Sequence, residues 1–172
     1  PSAHGGSIRE IYAHFDAGEE TGALSGFGSF TYKDGTVRYS LESGLPIAGG
    51  DADSVPIELT ITSKMISAKI DGMASLANEL KLDGNMEAQI DDLRRFIKWV
   101  GIALPDGQSL QRLSAAGAFH LSGSTLAFDD GIYTLDGNKA VGLLAVTAAP
   151  SRPRIEGTLA FGRLGFDPYL GN

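Results

Sequence analysis

Apolar and polar residues alternate with a period of two along most of this chain, the pattern of strands that bury one face and wet the other. Val37, Tyr39 and Leu41 alternate with Arg38, Ser40 and Glu42, and Ile57, Leu59 and Ile61 alternate with Glu58, Thr60 and Thr62. Ile66, Ala68 and Ile70 are set against Ser67, Lys69 and Asp71. The longest run places Leu80, Leu82, Gly84, Met86, Ala88 and Ile90 opposite Glu79, Lys81, Asp83, Asn85, Glu87 and Gln89. Phe119 and Leu121, Leu126 and Phe128, Val141 and Leu143, then Ile155, Leu159 and Phe161 carry the theme toward the end.

Asp-Gly pairs at Asp34-Gly35, Asp71-Gly72, Asp130-Gly131 and Asp136-Gly137 punctuate these runs, and such pairs suit the positive-φ positions of tight hairpin turns. Asp34-Gly35 predicts a hairpin between Phe30-Thr31-Tyr32 and Val37-Arg38-Tyr39. Gly44 to Val55, with Pro46, Gly49-Gly50, Asp51 and Asp53, reads as a longer exposed loop. One segment departs from the period of two. After Asp91-Asp92, the residues Leu93, Phe96, Ile97, Val100 and Leu104 fall at i, i+3, i+4, i+7 and i+11, an amphipathic helix over about 91–104 that Pro105 ends. Trp99 lies off that stripe and is expected to touch something else or to stay partly exposed. The pattern predicts a mainly β fold of the α+β kind, an antiparallel sheet packed by one amphipathic helix, in a single domain covering residues 1–172.

Composition narrows the partners. The 172 residues suffice for one core without disulfides or metals, and 23 glycines with few aromatics fit many turns and strands. A net charge of −7 with scattered Lys and Arg argues against nucleic acid and against a polybasic face for anionic headgroups. Without cysteine there is no disulfide framework, thiolate metal site or thiol nucleophile. No apolar run approaches the length of a membrane helix, so membrane association is expected only through a parent segment outside these residues.

Candidate chemistry is sparse, and the expectation is a non-enzyme with no catalytic, cofactor-binding or metal residues. Gly22-Ala23-Leu24-Ser25-Gly26 has one residue too many for a nucleophile elbow. His4, His14 and His120 lack partner spacing, and His120 should face away from Phe119 and Leu121. Asp51-Ala52-Asp53 and Asp129-Asp130-Gly131 miss the register of a calcium loop and read as turns. Gly26 and Gly28 form only a partial phosphate-loop glycine pattern.

The C-terminal half carries a more specific pattern. A strand from Leu113 through Gly117 to Leu121-Ser122-Gly123 precedes Leu126 to Leu135, then Gly137 and Ala140-Val141-Gly142. Pro153-Arg154-Ile155-Glu156-Gly157-Thr158-Leu159 and Leu164-Gly165-Phe166-Asp167-Pro168-Tyr169-Leu170 close the chain. This order resembles the C-terminal region of the AsmA family, most strongly from about Ser109 to Leu170. The resemblance implies a curved sheet in a periplasmic segment of an inner-membrane-anchored protein of a Gram-negative bacterium. It further implies a part in outer-membrane assembly or in phospholipid transport to the outer membrane, with acyl chains or envelope proteins as partners and no cofactor.

Amphipathic strands can close over a core with the helix or leave a trough for acyl chains, and the aggregation hazard of an open trough favours the covered core. The alternative function is a β-sandwich module that binds carbohydrate or a protein through Tyr12, Tyr133, Tyr169 and Trp99. Strands cut from a longer run should leave edges at Ile8 to Phe15 and at Ile155 to Phe161, inviting edge-to-edge homodimerisation.

Overall fold

The computed structural model describes residues 8–18, 23–45, 54–75, 79–103, 109–149 and 153–162. Ten strands and one helix follow one another: β1 (Ile8–Ala17), β2 (Leu24–Tyr32), β3 (Gly35–Ser43), β4 (Ser54–Ser63), β5 (Ser67–Ser75), β6 (Lys81–Ile90), α1 (Leu93–Val100), β7 (Leu113–Ser122), β8 (Thr125–Leu135), β9 (Asn138–Thr147) and β10 (Arg154–Phe161). All ten strands form one sheet in chain order, each antiparallel to its neighbours. The sheet is curved and does not close, so β1 and β10 are its edges, where the sequence places them.

The alternation sets the register, because slipping one residue would turn every apolar side chain to the wet face. Val37, Ile57, Ala68, Ile70, Leu82 and Ile90 are buried, while Arg38, Glu58, Lys69, Asp83 and Glu87 are exposed. Ile57, Ile70, Leu82, Phe119, Phe128, Tyr133 and Ala140 form one buried cluster, and Phe119 at its centre is 1% exposed. In β9 the sequence reading is off by one residue. Ala140 is buried while Val141 and Leu143 are exposed on the outer face, since Ala140 pairs with buried Tyr133 and Leu144 with buried Phe128. Small Ala and Gly on the inner face had disguised the phase.

The Asp-Gly pairs have three fates. Asp136-Gly137 is the turn between β8 and β9, with φ of 50° and 86°, the positive pair that a tight hairpin turn needs. At Asp34-Gly35 the turn sits one residue earlier, on Lys33 and Asp34, and Gly35 opens β3. Asp71-Gly72 and Asp130-Gly131 are not turns at all; they lie inside β5 and β8.

Those buried-strand glycines serve the curvature. Gly72 and Gly84 stand opposite one another, and a Cβ on either would come within 2.2 Å of the facing strand's carbonyl oxygen. Two chains can approach that closely only without side chains, one of the devices that lets a sheet curl. The register slips between Phe128 and Gly131, with both Asp129 and Asp130 outward, a bulge that bends the strand further. There Tyr133 lies over the bare Cα of Gly131 and its hydroxyl donates to the Gly142 carbonyl at 3.3 Å.

The helix is shorter than the 91–104 the periodicity suggested. Asp92 caps it, accepting the Arg95 N–H at 2.9 Å, and Gly101 ends it in the left-handed conformation. Ile102 N–H then donates to Ile97 O and Gly101 N–H to Lys98 O, both at 3.0 Å, a Schellman closure that stops the helix before Pro105, which lies outside the described residues. Leu93 is buried, Phe96 and Ile97 are half-buried, and Val100 is exposed. Trp99 does find a partner. Its indole N–H donates to Tyr32 O at 3.1 Å, its ring meets Tyr32 edge-on, and it lies against Gly35, while the Lys33 ammonium donates to Trp99 O. The helix thus runs from the end of β6 to the β2–β3 turn and plugs one end of the curved sheet. The curved antiparallel sheet with one helix is as the sequence predicts; the helix docks at the strand ends, where the polar turn residues hold Trp99, rather than over the middle of the sheet face.

Candidate functional site

The inner face is the candidate site, and the register defines what lines it. One row crosses all ten strands: Ala13, Gly28, Tyr39, Ile61, Ala68, Ala88, Ala115, Tyr133, Ala140 and Phe161. A second runs Ala17, Leu24, Ser43, Ile57, Gly72, Gly84, Phe119, Phe128, Leu144 and Gly157. A third, from β4 to β10, runs Val55, Ala74, Leu82, Leu121, Leu126, Val146 and Ile155. None of these rows contains a charge, and Ser43 is the one side chain in them with an aliphatic hydroxyl. Where the ladders are regular, the interior backbone N–H and C=O groups pair with neighbouring strands, so the face there presents side chains rather than free amides to an apolar guest.

Burial along the rows falls from the middle to the rims. Phe119 and Tyr133 are buried, whereas Phe15 is 56% exposed, Ile155 66% and Phe161 45%. Among the described residues, nothing from this chain lies beyond β1 or β10 to cover them. The result is a trough whose floor is packed and whose walls are open, intermediate between the closed core and the open groove.

The outer face differs. Over β3 to β6 it is polar, with Arg38, Glu42, Glu58, Lys69, Asp71 and Glu87 exposed. A depression of about 540 Å³ at the β3–β5 rim is lined by Glu42, Glu58 and Asp71 together with Pro56, Ile57 and Met73. Over β8 and β9 the outer face is apolar, through exposed Ile132, Val141 and Leu143. A small aromatic group, Tyr12 and His14 against Phe27, occupies the outer face of β1 and β2.

His120 does face away from buried Phe119, and it has partners that its sequence spacing did not reveal. Its Nδ1 meets Asp83 Oδ1 of β6 at 2.5 Å and its Nε2 meets Asp129 Oδ2 of the β8 bulge at 2.9 Å. Hydrogen bonds to Asp83 and then Asp129 raise its pKa above the ordinary 6.5. With both ring nitrogens occupied by carboxylates, this imidazole is a clamp across three strands rather than a free base. The signal was the outward parity shared by Asp83 and His120, but pairing of β6 with β7 across the intervening helix was needed to make them neighbours. Asp136 was missed in the same way. Its carboxylate accepts the N–H groups of Leu110, Gln111 and Arg112 at 2.7, 2.8 and 2.8 Å, fixing the segment that leads from the helix into β7.

The remaining sequence candidates do not converge. Gly26 and Gly28 lie within β2, under Phe15 and Tyr39, and Ser25 beside them is outward. Tyr133 is buried and Trp99 is engaged by the β2–β3 turn, so the aromatics proposed for a binding face do not share one. Asp129-Asp130 is a bulge, not a turn. His4, Asp51, Asp53 and Tyr169 lie outside the described residues. Among the described residues no group of three or more His, Asp or Glu side chains could hold a metal ion, and no helix is long and apolar enough to cross a membrane. No family model, curated protein or solved structure matches this chain.

Proposed function

We propose that this chain is a non-catalytic segment of a bacterial envelope protein whose inner face carries phospholipid acyl chains between the inner and outer membranes. One observation carries the reading: a row of uncharged, almost wholly apolar side chains runs across all ten strands of a sheet that stays open at both edges. A hydrocarbon tail laid there gains about 0.8 kcal/mol for each methylene removed from water. The headgroup stays in solvent along the open side between β1 and β10. The AsmA-like order of residues from Ser109 to Leu170 supports the same reading and suggests a periplasmic location within a membrane-anchored parent.

Native mass spectrometry of the chain purified from a Gram-negative host tests this. The expected spectrum contains protein carrying one or more phospholipids, reduced when Phe15→Asp is introduced at the exposed inner rim. A spectrum of lipid-free protein, unchanged on incubation with phospholipid vesicles, would exclude the acyl-chain role. The alternative of a carbohydrate-binding β-sandwich is weakened by the single sheet and by the separation of Tyr12, Trp99 and Tyr133.

A further inference from the structure

The two edges of the sheet are not equivalent. Along β1 the ladder slips between Arg9 and Tyr12, and Glu10 sits at φ 52°, a bulge that spoils the edge as a template. Along β10 the ladder to β9 is regular over all eight residues, and the strand holds neither bulge nor proline. Its two charges, Arg154 and Glu156, lie at one end and bind each other at 2.7 Å. Among the described residues, β10 is therefore the unguarded edge.

We propose that β10 is a self-complementary docking strand through which two copies of this chain pair, antiparallel, about a two-fold axis at Thr158. A two-fold axis normal to the sheet keeps both inner faces on the same side, so inner residues meet inner residues. Centred on Thr158, that register sets Ile155 opposite Phe161 of the second copy and Gly157 opposite its Leu159, each contact occurring twice. Large residues thus face glycine or fill the rim that Ile155, 66% exposed, and Phe161, 45% exposed, leave bare. Glu156 faces Ala160, Arg154 faces Gly162, and no like charges are opposed. About seven residue pairs bring main-chain hydrogen bonds within the ~10 ± 5 of an ordinary protein interface. The product is one continuous sheet with a doubled inner face. This pairing does not depend on what the inner face binds.

The absence of native cysteine makes the register directly readable. Thr158 is exposed, so its replacement leaves the core intact. The full chain should sediment as a concentration-dependent dimer, and Thr158→Cys should give a disulfide-linked dimer on mild oxidation while Ala13→Cys on β1 does not. Thr158→Lys opposes two ammonium groups and should weaken the dimer at least tenfold, with an unchanged circular dichroism spectrum. A chain that stays monomeric with Thr158→Cys unlinked would overturn the proposal, including the case in which residues 163–172 of the same chain protect the β10 amides from exchange. So would a dimer that crosslinks through Ala13→Cys and ignores Thr158→Lys.

Discussion

Two kinds of residue hold the curvature, and each gives a measurable expectation. His120 bridges Asp83 and Asp129, donating to both carboxylates when protonated, and its folded pKa is raised above the ordinary 6.5 by those hydrogen bonds. A raised pKa means that the folded state binds the proton more tightly, so the clamp is fully effective below the unfolded pKa and is lost as pH rises through the folded one. The urea midpoint of His120→Ala should therefore lie furthest below wild type at pH values under the ordinary histidine pKa of 6.5, and the gap should shrink as pH rises above it. A gap that widened with pH would refute the clamp. Gly84 acts through absence. Gly84→Ala puts a Cβ 2.1 Å from the Asp71 carbonyl oxygen, and overpacking of this kind should cost about 1–3 kcal/mol in denaturant melts. The same exchange at exposed Gly137, where a Cβ would meet nothing, carries only the strain of its 86° φ.

At the scale of elements, the helix and its connection to β7 are held by polar atoms at strand ends rather than by the sheet face. Asp136→Ala removes the carboxylate that accepts the three N–H groups of residues 110–112, and charged hydrogen bonds of this kind lead to an expected loss of about 1.5–3 kcal/mol in thermal or urea unfolding. Trp99 is the only tryptophan, so its emission reports the helix dock alone. Gly35→Val, which crowds the indole at 3.0 Å, should shift that emission to the red while the far-ultraviolet spectrum of the sheet persists. The strands themselves were legible because alternation states face and register together, as at Leu82 to Ile90, and the positions of both edge strands followed. What alternation could not show was which Asp-Gly pair turns: Asp136-Gly137 and Asp71-Gly72 are the same dipeptide, but the second is paired within the sheet, Asp71 with Asn85 and Gly72 with Gly84. The phase of β9 was hidden for a related reason, since its inward Ala140 and Gly142 are less hydrophobic than its outward Val141 and Leu143. The helix length was overread because Leu104 continues the stripe, whereas Gly101 closes the backbone first.

For the whole molecule, the decisive property is that one meandering sheet of ten strands does not close, so that its apolar inner face is packed at the floor and exposed at the β1 and β10 rims. The candidate site was only half visible in sequence: its lining residues were, but openness depends on β1 and β10 failing to meet, which no local pattern encodes. The clamp residues Asp83, His120 and Asp129 were invisible as a group for the same reason, being 37 and 9 residues apart. The central claim is that acyl chains lie on this inner face. A photoreactive phenylalanine analogue placed one at a time at the inner rim positions Phe15, Ile155 and Phe161, and at the outer positions Thr60 and Glu87, tests it in living cells. The account predicts phospholipid crosslinked at the three inner positions and none at the two outer ones. Equal labelling of both faces, or labelling confined to the outer face, would contradict it.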